Sequence, residues 1–135
     1  MAQFCIKDHI SNAPWGTLVY MAPERLLEGQ LFPASDVYSF GVILWEMYHG
    51  QRPYEGMHAA QIVMACAQGS TCLEWSKDSC SEIARISRAC MASSPHDRPT
   101  FAILMHELAS LEDRVRMDGM RISKSFDAAS GRCVR

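Results

Sequence analysis

Gly16-Thr17-Leu18-Val19-Tyr20-Met21-Ala22-Pro23-Glu24 is followed, after a short charged stretch, by Ser35-Asp36-Val37-Tyr38-Ser39-Phe40-Gly41-Val42-Ile43-Leu44-Trp45-Glu46-Met47. These two runs decide the fold. Pro23 to Leu27 reads as a short helix, because proline suits a first turn, where its missing N–H costs nothing. Gly29 stands where a glycine just past the last turn ends a helix. In the second run Ser35 is the expected N-cap, and Asp36 in the first turn is favoured by the helix dipole. This helix runs to about His49, and Gly50 stops it. Its apolar residues, among them Val37, Phe40, Ile43, Trp45 and Met47, go right round the cylinder. A helix that is apolar all round is buried on all sides. Gly41 in its interior costs ~1 kcal/mol against alanine, which predicts a close backbone approach there. The helix is the expected hub of a larger body.

Working outward, Met1 to Trp15 has no helical or strand period and reads as loop. Gln51 to Gly56 is a turn around Pro53. Met57 to Gln68 reads as a helix with Ile62, Val63 and Cys66 buried, and Gly69 to Ser79 as loop. Glu82 to Ala92 carries Ile83, Ile86 and Cys90 at spacings of three and four, the mark of one helical face. Ser93-Ser94-Pro95 breaks it. Thr100 can cap a last helix whose Phe101, Leu104, Leu108 and Leu111 share one side. From about Arg114 the pattern dissolves, and residues 114–135 read as a mobile tail. No repeat and no convincing strand emerges, so the expected class is mainly α.

The chain has 135 residues, enough for one domain, and 48% are apolar, enough for an ordinary core. A formal net charge of −2 gives no bulk electrostatic reason to bind nucleic acid or membrane. Cys5, Cys66, Cys72, Cys80, Cys90 and Cys133 form no Cys-x-x-Cys pair and no zinc spacing. They read as thiols of a cytoplasmic protein. No secretory signal is visible. The longest apolar stretch, around Val42 to Trp45, is far short of the ~20 residues that span a bilayer.

Three motifs in order carry a family resemblance: Ala22-Pro23-Glu24, then Asp36-Val37-Tyr38-Ser39-Phe40-Gly41, then Pro95-His96-Asp97-Arg98-Pro99-Thr100-Phe101. Together they resemble the protein kinase catalytic domain from the end of its activation segment onward. The resemblance implies a helical lower half of the C-terminal lobe over residues 1–113, with little or no strand. It implies that Arg98 pairs with Glu24, nailing the end of the activation segment to the helical body, with Ala22, Pro23 and Trp45 as structural residues. It implies that Gly16, Thr17, Leu18, Val19 and Tyr20 form the loop that receives the substrate residue just after the phosphoacceptor. Thr17 points to the tyrosine-kinase-like serine/threonine group. Asp36, which taken alone could be read as a general base, would instead accept backbone N–H bonds from the catalytic loop. Ser11 is a candidate activation-loop phosphosite.

The parts that do the chemistry of phosphoryl transfer are a Gly-rich loop, a strand lysine, a catalytic Asp and a metal-binding Asp. None is recognisable here, so no catalytic or metal-binding residue is assigned. ATP and magnesium are implied for the full-length family, not for this chain. His106-Glu107 lacks the second histidine of a zinc protease motif, since Ser110 stands in its place. The expected function is the C-lobe portion of a serine/threonine kinase, supplying substrate-docking loop and scaffold. The alternative is a stand-alone, non-catalytic, pseudokinase-like binding module. Expected partners are a protein substrate and the missing N-terminal half of the kinase domain. Without that half, exposed apolar surface predicts self-association.

Overall fold

A computed structural model describes residues 18–69 and 73–129, with residues 119–129 as backbone alone. Its helices are α1 (Pro23–Glu28), α2 (Pro33–His49), α3 (Ala59–Ala67), α4 (Ser81–Cys90) and α5 (Phe101–Ala129), with a 3-10 turn at Pro95–Asp97. Among the described residues there is no strand, in line with the helical class read from the sequence.

Helix α1 starts with Pro23 in its first turn and ends at Gly29, whose φ is 69°. The Gly29 N–H donates to the Arg25 carbonyl at 3.1 Å and the Gln30 N–H to the Glu24 carbonyl at 3.2 Å. This is the Schellman arrangement, and it favours glycine because the left-handed region penalises a Cβ. Helix α2 begins earlier than expected, and Ser35 is not its N-cap. Phe32 holds that position, with Pro33 opening the helix. A proline at the first helical position has its φ already set for helix, so the chain turns in there. Ser35 works from inside the first turn: its Oγ accepts the Phe32 N–H at 3.2 Å, and its own N–H donates to the Phe32 carbonyl at 2.9 Å.

The close approach expected at Gly41 is present. A Cβ built there would lie 2.7 Å from Cys90 Cβ and 2.9 Å from Met91 Cγ. Ser87, fully buried, donates from Oγ to the Gly41 carbonyl at 2.9 Å. Helices α2 and α4 therefore touch backbone to side chain at this point, and Cys90 and Ser87 are the small residues that permit it. Around this contact Tyr38, Val42, Trp45, Ile62, Leu73, Trp75, Ala84 and Met91 form the core.

The burial expected all round α2 is incomplete. Ile43 is 41% and Met47 76% exposed, and Asp36 also faces out. Positions 36, 43 and 47 lie on one side of a helix, with Phe40 between them half-buried. One stripe of the hub is thus left uncovered by the described residues.

The loop expected before α4 is present among its described residues, and α5 differs from its expected length. Residues 73–76 form no regular element, yet Leu73 and Trp75 are buried. The Trp45 indole N–H donates to the Glu74 carbonyl at 2.9 Å, and Trp75 packs against Tyr48 and His49 with ring centroids 5.0 and 4.9 Å away. The His49 Nδ1 lies 2.9 Å from the Trp45 carbonyl, an acceptor-only partner, so that nitrogen carries the proton. The described residues also divide into two compact units at Thr100. The second is α5, which runs on to Ala129, where the sequence reading expects a tail from Arg114. An exposed Arg116–Glu112 pair at 2.7 Å, one helical turn apart, supports the helix where the apolar pattern ends. Between residues 101 and 118 Leu104 and Leu111 are buried, while Phe101, expected on the same face, is 45% exposed. No helix among the described residues is long and apolar enough to cross a membrane.

Candidate functional site

The segment leading into α1 is held at its described end by two anchors. The first acts on Tyr20. Ser39 Oγ donates to the Tyr20 carbonyl at 2.8 Å, with the Ser35 carbonyl 3.2 Å from the same oxygen. The Tyr20 hydroxyl donates to Glu46 Oε2 at 2.7 Å. Ser39 and Glu46 are seven residues apart and so share one face of α2. That face grips Tyr20 by both its backbone and its side-chain tip. The hydrogen bond to Glu46, together with burial and the Glu46 charge, raises the Tyr20 phenol above its ordinary value, while the positive Arg52 opposes this. Leu18, 4% exposed, plugs into the core on the inner side.

The second anchor is the ion pair between Arg98 and Glu24, both buried. Arg98 Nη1 donates to Glu24 Oε1 at 2.8 Å and Nη2 to Oε2 at 2.8 Å. Arg98 also donates to the carbonyls of Ala92 (2.8 Å), Ala34 (2.9 Å) and Ser93 (3.3 Å). Ser35 Oγ donates to Glu24 Oε1 at 2.7 Å. Burial pushes the Glu24 carboxyl up, but the bonds from Arg98 and Ser35 outweigh it and hold the group below its ordinary value. Beneath the guanidinium lies the Tyr38 ring, 5.1 Å from the Arg98 Cζ, within cation–π range.

Beside Tyr20 opens a cavity of about 540 Å³, lined by Val19, Tyr20, Glu46, Arg52, Pro53, Tyr54, Met57 and Ile62 among others. Tyr54 on its wall is buried and has a φ of 56°, a left-handed conformation that a large side chain adopts at some cost.

Of the other residues singled out in the sequence, Ala22 is buried and Pro23 half-buried at the start of α1. Trp45 is buried, and Asp36 is exposed in the first turn of α2. Gly16, Thr17 and Ser11 lie outside the described residues, as do Cys5, Cys72 and Cys133. Cys66, Cys80 and Cys90 carry thiols, not disulfides. Among the described residues no group of three or more His, Cys, Asp or Glu side chains could hold a metal ion.

Sequence reasoning misses Ser39 and Glu46, and gives Ser35 a cap role in place of its bond to Glu24. Ser39 and Glu46 fall within the quoted run, seven positions apart, and that spacing on a helix was the available signal. Arg52, Tyr54 and Met57 carry no comparable pattern, because the turn at 51–56 brings them to the cavity.

The family model for protein tyrosine and serine/threonine kinases matches residues 9–108. The chain belongs to this protein kinase family. It is similar to human mitogen-activated protein kinase kinase kinase 11, at 35% identity over 100 residues, which is 74% of this chain and 12% of that protein. It is 39% identical over 101 residues to the serine/threonine-protein kinase CTR1 of Arabidopsis thaliana, covering 75% of this chain and 12% of that protein. Human inactive tyrosine-protein kinase 7 is 36% identical over 89 residues, covering 65% of this chain and 8% of that protein. The kinase chain thus spans about an eighth or less of the length of these relatives. The first two match the tyrosine-kinase-like serine/threonine group that Thr17 indicates in the sequence. In such kinases ATP and magnesium serve the full-length form.

Proposed function

We propose that this kinase chain supplies the substrate-docking loop and the scaffold helices of a serine/threonine kinase C-lobe. Gly16 to Tyr20 receive the protein substrate, and the whole kinase transfers phosphate from ATP to a serine or threonine of it in the cytoplasm. The observation that carries this reading is the double anchoring of one short segment. Tyr20 is fastened to α2 at its carbonyl and its hydroxyl, and Glu24 is fastened to Arg98. A segment that positions a peptide must itself be fixed, since misplacement by about 1 Å can cost ~10²-fold in rate. The scaffold role extends to the uncovered stripe of α2, where Asp36 accepts backbone N–H bonds of a catalytic loop and Ile43 and Met47 pack on the N-terminal half of the kinase domain. Ser11 is the proposed phosphosite of the same segment.

Photo-crosslinking with a serine-containing peptide tests the docking role. Label concentrated on Val19, Tyr20 and Met57, and lost in Tyr20→Ala, is the expected result. Label spread evenly over exposed residues of all helices would remove the basis for the reading.

A further inference from the structure

A second cavity, of about 390 Å³, opens between the last turns of α1 and α3 and the turn at Pro95–Asp97. It shares no lining residue with the cavity beside Tyr20. Leu27, Ala67 and Pro95 give it apolar walls, and the Phe32 ring, 43% exposed, stands at its mouth. Two carboxylates line it. Glu24 is buried and already paired with Arg98. Glu28 is exposed and makes no ion pair with a described residue, not even with Arg25 one helical turn before it. No lysine or arginine stands among the described residues of the lining, and His96, its one basic side chain, is exposed to water. The last turns of α1 and α3 add the partial negative charge of helix carboxyl ends.

We infer that this cavity is a docking site for an arginine side chain of a partner polypeptide, separate from the substrate-docking loop. Such a site goes beyond the docking role proposed above and stands without it. Arginine matches each part of the lining. Its methylene stem leaves water against Leu27 and Ala67 while its charged head stays at the rim. Its planar guanidinium can lie on the Phe32 ring and reach Glu28 with two parallel N–H donors. A lysine brings the charge without the plane or the fork. An aspartate or glutamate meets an unpaired carboxylate and two helix carboxyl ends, and is repelled.

The test uses the 135-residue chain with methyl-labelled Leu27 and Ala67, titrated by NMR with blocked glycine–serine hexapeptides. Each peptide holds one central arginine, citrulline, lysine or glutamate, and citrulline keeps the shape of arginine without its charge. The arginine peptide is expected to shift both methyl signals and to bind about two- to fivefold tighter than the citrulline peptide, the scale of an exposed charge contact. It should also bind tighter than the lysine peptide, and the glutamate peptide should bind least. In Glu28→Lys the order of arginine and glutamate should reverse. Phe32→Leu, with its fold checked by circular dichroism, should lose the preference for arginine over lysine and keep that over glutamate. Tyr20→Ala should change none of this. No shift with any peptide, equal binding of all four, or an arginine preference unmoved in Glu28→Lys would overturn the inference. Acetyl-arginine amide binding as tightly as the peptide would also overturn it, by making this a site for small ligands. So would methyl signals that move on dilution of the chain alone, which would give the cavity to a second copy. None of these outcomes bears on the substrate-docking role, whose labels fall on Val19, Tyr20 and Met57.

Discussion

Arg98 and Glu24 stand 74 positions apart in the chain and meet in a two-point ion pair, Nη1 to Oε1 and Nη2 to Oε2, both at 2.8 Å. The five N–H donors of the guanidinium are all placed, two on the carboxylate and three on the carbonyls of Ala92, Ala34 and Ser93. A planar guanidinium has the fork for this, and an ammonium has not. Replacing Arg98 strands a buried carboxylate and the three carbonyls together. Arg98→Ala should therefore cost about 3–5 kcal/mol. Arg98→Lys should recover only part of it. Arg116→Ala, which breaks an exposed pair, should cost less than about 1 kcal/mol. Urea denaturation of the three variants measures this directly, and equal losses for Arg98→Ala and Arg116→Ala would contradict the buried-pair argument.

The same pair fixes a pH dependence. The Glu24 carboxyl is held below its ordinary value in the folded chain. A group with a lowered folded pKa adds stability that is fully present above its unfolded pKa. That stability is lost as pH falls through the folded value. The stability gap between the native chain and Glu24→Gln should be constant at neutral pH, begin to narrow near pH 4.5, the ordinary glutamate value, and go on narrowing at lower pH. A gap that widens with acid, or is already closing at pH 7, would reverse the sign and refute the assignment.

Gly41 offers a packing test. On an exposed helix surface, glycine to alanine gains about 1 kcal/mol in propensity. Here the added methyl would sit 2.7 Å from Cys90 Cβ and 3.0 Å from the Ser87 carbonyl, neither of which is the far end of a flexible side chain. Overpacking of this kind costs about 1–3 kcal/mol, and α2 would have to move off α4. Gly41→Ala should lower the melting temperature. Any rise would mean the two helices are not in contact at this point.

Tyr38 has the opposite sign. Its ring is used, under the Arg98 guanidinium, but its hydroxyl is buried with no hydrogen-bond partner among the described residues. Burial pushes that phenol far above its ordinary value, with Tyr54 and Cys66 adding to the shift and Arg98 opposing it. The Tyr54 side chain is near enough to act on the Tyr38 hydroxyl but not in the geometry of a full hydrogen bond, so Tyr38→Phe, which keeps the ring and removes a poorly satisfied polar group, should be neutral or stabilise by up to about 1 kcal/mol. Tyr38→Leu, which removes the ring as well, should destabilise. A clear loss of stability in Tyr38→Phe would mean the hydroxyl is bonded after all.

How far the sequence could be read depended on the range of each signal. Gly29, Gly41 and Gly50 mark local backbone events, and all three fall where a turn or close approach requires them. The meeting of Arg98 with Glu24 is not local, and only the family resemblance linked the two. Ser35 makes cap-like bonds from the third helical position, which composition alone does not distinguish from the cap. Trp75 lies in loop as the sequence predicts, but its burial is not legible from a period, because irregular backbone has none; an indole in a polar loop is the available sign. The helix beyond Arg114 lacked an apolar stripe, and its exposed Glu112–Arg116 pair is the kind of local support that periodicity overlooks.

The uncovered stripe of α2 carries the last prediction. Met47 is 76% and Ile43 41% exposed one helical turn apart, on the helix that otherwise organises the core. Apolar surface of this kind on a helix draws a second surface onto it. In the full kinase domain that surface is the proposed N-terminal half. In the isolated chain the stripe should bind a dye that reports apolar surface and should drive self-association. Met47→Ser and Ile43→Ser should lower dye fluorescence and shift sedimentation toward monomer. Their melting temperature should change little, because an exposed side chain contributes little to folding. An unmodified chain that sediments as a monomer, ignores the dye and melts sharply would show that the stripe is already satisfied. The hub role of α2 would then be complete within these residues.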